Sequence, residues 1–101
     1  MGREILSANG TVSAGATTTV VAAVTDKVIH ITKMITSISA AGSMQLKKTA
    51  GNAITPAFAM GQYSPWVMRD FDKLESAPGA GLDIVAVGGD VAYYIEYVLE
   101  P

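Results

Sequence analysis

Val91-Ala92-Tyr93-Tyr94-Ile95-Glu96-Tyr97-Val98-Leu99-Glu100 is the clearest strand in the sequence. Val91, Tyr93, Ile95, Tyr97 and Leu99 alternate with Ala92, Tyr94, Glu96, Val98 and Glu100. Successive side chains of a β-strand point to opposite faces, so the first set is expected to face a core. Gly88-Gly89-Asp90 just upstream reads as a tight reversal, and Leu82 to Val87 as the strand that enters it.

Lys27 to Ser39 is the other long strand. Ile29 and Ile31 share one face, and Val28, His30 and Thr32 the other. Met34 and Ile38 fall on the opposite parity from Ile29 and Ile31. A bulge or bend near Lys33 reconciles the two halves, of the kind found where a long strand passes from one sheet of a sandwich to the other.

The remaining segments are short, rich in β-branched residues and separated by Gly, Ser, Thr and Asn clusters. Thr17 to Val24 is followed by a turn at Thr25-Asp26-Lys27. Ser43 to Lys48 places Met44 and Leu46 inward, and Thr49 to Asn52 turns the chain. Ala53 to Met60 is expected to be an edge or interrupted strand, because Pro56 removes a ladder donor. Ser64 to Phe71 carries Trp66, Met68 and Arg69, and Gly79-Ala80-Gly81 is a turn. With an N-terminal piece near Arg3 to Leu6, the chain gives about seven or eight strands, no helix and no repeat. The expectation is an all-β, two-sheet antiparallel sandwich, a single domain over 1–101 with short terminal arms. Strand order alone leaves a jelly roll and another Greek-key sandwich open.

The 101 residues suffice for one core. Half of them are hydrophobic and 16% charged, against about 25% charged in an average globular protein. So little charge points to an oligomer or a docked subunit. The net charge is −2 and the seven basic residues are scattered, which offers no stripe to nucleic acid. There is no cysteine for a disulfide or thiolate metal site. The longest uncharged stretch, Ile5 to Thr25, is broken by Ser, Asn, Gly and Thr, so no membrane span is expected. Nor does the N-terminus read as a signal peptide.

No constellation carries catalysis. His30 is the single histidine and is expected to be structural, the alternative being a pH-sensitive subunit contact. Asp70 and Asp72 flank Phe71 and would share a strand face, yet calcium needs many more oxygens than two carboxylates give. Glu96 and Glu100 are too isolated for a glycosidase pair. There is no Gly-x-Ser-x-Gly turn, and Ala77 to Gly81 lacks the Lys-Ser/Thr of a phosphate loop. Asn9-Gly10-Thr11 fits a glycosylation sequon, a pattern frequent by chance. No enzyme activity, cofactor or metal is therefore expected. Tyr63, Trp66 and Phe71 lie close in sequence and suit core or interface anchors, or a sugar-stacking platform.

The run Val20-Val21-Ala22-Ala23-Val24-Thr25-Asp26-Lys27-Val28-Ile29-His30-Ile31, then Ala40 to Lys47, Pro65-Trp66, Ala77 to Leu82 and the tyrosine-bearing Gly88 to Glu96, resembles small tailed-phage virion proteins. The resemblance is one of pattern over about Gly10 to Glu100. Asp26 stands where glycine is more usual in that turn, and Arg69-Asp70-Phe71-Asp72-Lys73 departs by its charge. The resemblance implies a jelly-roll, tumour-necrosis-factor-like sandwich, often a homotrimer. It would be a capsid decoration (cement) protein or part of a fibre, carried on the virion after synthesis in the host cytoplasm. The implied partners are the major capsid protein and other copies of itself; a carbohydrate- or receptor-binding fibre sandwich is the alternative. Short terminal arms often tie subunits together, so Arg3, Ile5, Leu6, Tyr97 and Leu99 are candidate interface residues, with Tyr63 and Trp66.

Overall fold

A computed structural model of the chain describes residues 4–49, 51–69 and 75–101. Its strands are β1 (Leu6–Val12), β2 (Thr17–Val21), β3 (Val28–Ile38), β4 (Gly42–Lys48), β5 (Phe58–Met60), β6 (Trp66–Arg69), β7 (Leu82–Val87) and β8 (Val91–Glu100). They form two four-stranded antiparallel sheets, ordered β1-β8-β3-β6 and β2-β7-β4-β5. No described residue is helical.

The pairing follows one rule: β1 with β8, β2 with β7, β3 with β6 and β4 with β5. The first half of the chain thus lies antiparallel to the second, like one long hairpin. The β8–β3 and β7–β4 pairs then roll that hairpin into two facing sheets. This is the connectivity of a jelly roll, and it resolves the choice that strand order left open.

Alternation along β3 and β8 builds the core. The register sets Ile29 against Leu99, Ile31 against Tyr97, Met34 against Ile95, Thr36 against Tyr93 and Ile38 against Val91. Between Ile31 and Lys33 the register shifts by one residue, leaving Thr32 as a bulge whose hydroxyl donates to the Glu96 carbonyl at 3.2 Å. The extra residue brings Ile29 and Ile31 onto the face of Met34 and Ile38, all fully buried. The expected bulge is present, but β3 stays within one sheet on both sides of it. From the other sheet Met44, Leu46, Leu82, Ile84 and Ala86 close the core.

Two buried hydroxyls finish strands where pairing runs out. Ser76 Oγ accepts the Ile29 N–H at 3.0 Å and donates to the Ala77 carbonyl at 3.1 Å. Thr55 Oγ1 accepts the Leu46 N–H at 3.1 Å and donates to the Pro56 carbonyl at 3.0 Å. Each satisfies a strand amide that would otherwise be buried without a partner. The segment expected as an interrupted strand at Ala53–Met60 is reduced to an Ala53 bridge and three residues, Phe58–Met60, at the sheet edge. No described helix is long and apolar enough to cross a membrane.

Candidate interaction surface

β1 and β2 are the outer strands of their sheets on the same side of the sandwich. Both come from the uncharged Ile5–Thr25 stretch, so neither Leu6–Val12 nor Thr17–Val21 carries a charge or a proline. Neither edge pairs with another described strand. Charges, prolines and bulges on edge strands are how soluble monomers prevent strand addition, and the seven residues of β1 have none of the three. The N-terminal strand was expected near Arg3 to Leu6; it begins at Leu6 and continues to Val12. Asn9-Gly10-Thr11, read as a sequon, lies within β1, where Gly10 sits opposite Tyr93 and a Cβ would come within 2.9 Å of the phenol oxygen.

The outer face of the β1-β8-β3-β6 sheet continues from that edge. One cross-strand row runs Asn9, Tyr94, Ile35, Val67. Ile35 is 37% and Val67 49% exposed, and the two are cross-strand neighbours. The Tyr94 hydroxyl donates to Glu96 Oε2 at 2.6 Å, which holds the ring along the strand. That hydrogen bond, then desolvation and the Glu96 charge, raise the Tyr94 pKa above the usual phenol value. The next row is Thr11, Ala92, Ser37. It floors an open groove of about 260 Å³ that Tyr63 and Asp90 flank.

Tyr63 is the most exposed large hydrophobic described, at 72%. Its φ of 62° is a left-handed conformation that a bulky residue adopts rarely. Three hydrogen bonds hold the turn: the Ser64 N–H donates to the Gly61 carbonyl at 3.0 Å, the Tyr63 N–H to the Ile38 carbonyl at 2.8 Å, and Gln62 Nε2 to the Ser39 carbonyl at 3.1 Å. The backbone of this turn is thus held while the Tyr63 side chain stands in solvent.

The expected interface residues separate into two groups. Ile5 is 64% exposed beside the β1 edge, and Tyr63 projects as described. Leu6 lies inward against Tyr97 in the register, while Trp66, Tyr97 and Leu99 pack partly buried on the core. Trp66 meets Phe58 with ring centroids 4.9 Å apart, a contact that joins edge strands β6 and β5 of the two sheets. Its ring therefore closes the sandwich on the side away from β1 and β2. Arg3, Phe71, Asp70 and Asp72 lie outside the described residues.

His30 stands on the outer face, as its parity required. Its Nδ1 lies 3.0 Å from Glu75 Oε2 and 3.8 Å from Glu100 Oε1. Sequence reasoning treated Glu100 as isolated and did not join it to His30, because the strand pairing that brings them together is non-local. It also missed Asp83, which is 7% exposed and accepts hydrogen bonds from the hydroxyls of Thr19 at 2.8 Å and Thr49 at 2.7 Å.

In comparisons with known proteins, no family model matches the chain and no curated protein matches it in sequence.

Proposed function

We propose that the chain is a structural virion subunit, a capsid decoration or cement protein that works as a homotrimer against the major capsid protein. The observation that carries this reading is the pair of uncharged edge strands, β1 and β2, on one side of a low-charge jelly roll. Unpaired strand edges gain hydrogen-bond partners when another chain adds to them. The apolar row of Tyr94, Ile35 and Val67, which runs from the strand beside β1 across the outer face to the far edge of the sheet, supplies the area that desolvates such a contact. Many copies, each bound by a modest interface, stabilise a shell through multivalency. The sandwich by itself implies no role, since jelly rolls serve many.

The test is co-sedimentation of the purified chain with heads assembled from the cognate major capsid protein. The wild-type chain is expected to saturate the heads. Asn9→Lys with Thr18→Lys, both at exposed edge positions, is expected to stay folded and lose binding. A chain that leaves heads bare would sink the proposal. Glycan-specific binding focused on Tyr63 would favour the fibre alternative.

A further inference from the structure

We propose that His30, Glu75 and Glu100 form a binding site for one first-row divalent cation of the Zn²⁺ type. The three residues come from separate parts of the chain: the start of β3, the connection leading into β7, and the end of β8. Their ligand atoms all lie within 4.8 Å of one another. Two carboxylates converge on one ring nitrogen, which can share only a single proton with them.

The donor set decides the class of ion, and the distances are compatible with it. Zn–N and Zn–O bonds of about 2.0–2.2 Å separate neighbouring ligand atoms by about 3–3.5 Å. The Nδ1 separations of 3.0 and 3.8 Å already lie near that range. The remaining carboxylate gap closes by rotation of the Glu75 side chain, 46% exposed, while His30, 12% exposed, stays fixed by its strand. One imidazole nitrogen with two carboxylate oxygens is a borderline donor set that suits Zn²⁺, Co²⁺, Ni²⁺ or Mn²⁺; Ca²⁺ and Mg²⁺ prefer more oxygens. On binding, the metal takes the Nδ1 lone pair and the ring proton resides on Nε2.

Such an ion ties the C-terminal end of β8 to β3 and to the segment before β7. It acts within one subunit, so its test does not depend on assembly.

The experiment is calorimetric titration of the untagged chain with ZnCl₂, paired with NMR of the imidazole, which belongs to the only histidine in the chain. The expected result is one Zn²⁺ per chain, shifted His30 ring signals and a melting temperature raised by about 5 °C or more near saturation. Glu75→Gln and His30→Gln are each expected to weaken binding at least tenfold, and Glu96→Gln to leave it unchanged. Glu75 is exposed enough for its variant to remain folded if the His30 variant does not. No saturable binding at 1 mM, or binding that survives either Glu75→Gln or His30→Gln, overturns the site.

Discussion

Thr36 and Gly42 show how closely single positions are fitted. Thr36 is 1% exposed, and its Oγ1 has no hydrogen-bond partner among the described residues. A buried hydroxyl without a partner costs stability, so Thr36→Val is expected to be neutral or to stabilise by up to about 1 kcal/mol in urea unfolding. Loss of stability there would mean the hydroxyl is bonded. Gly42 lies so close to β7 that a Cβ would collide with the Val87 carbonyl oxygen. Gly42→Ala is therefore expected to cost about 1–3 kcal/mol by the same measurement. Asp26 has φ 62°, a left-handed conformation that Asp tolerates better than most residues. That turn was legible in Thr25-Asp26-Lys27; the burial of Thr36 beside Tyr93 was not, because it depends on which strand lies alongside.

Pairs and strands carry the next level. The Tyr94–Glu96 hydrogen bond raises the phenol's pKa in the folded chain, so its stabilising effect is complete below the ordinary phenol range and is lost as pH rises through the folded value. Glu96→Gln is expected to lower the Tyr94 titration point, read by NMR of the ring carbons, and an unchanged curve would contradict the assignment. At the far edge, Trp66→Ala removes the ring that bridges β6 to β5 and is expected to cost about 3 kcal/mol in urea unfolding. The alternation of β8 and the phase break near Lys33 were readable because they are local. Val98 shows the limit: alternation puts it outward, yet it is 2% exposed beside its partner His30. Periodicity gives a residue's face and says nothing of what packs over that face.

The pairing of each strand in the first half with its mirror strand in the second could not be read from order, because it consists of contacts far apart in sequence. For the same reason the uncharged Ile5–Thr25 stretch looked merely too polar for a membrane. Only the topology makes it the two edge strands on one side of the sandwich. We propose that other copies of the chain complete these edges. This is tested most directly by the native mass of the 10.5 kDa chain, measured by light scattering after size exclusion across a dilution series. The account predicts a trimer that resists dilution and that Asn9→Lys with Thr18→Lys converts to folded monomer. A wild-type chain that is monomeric at every concentration would contradict it.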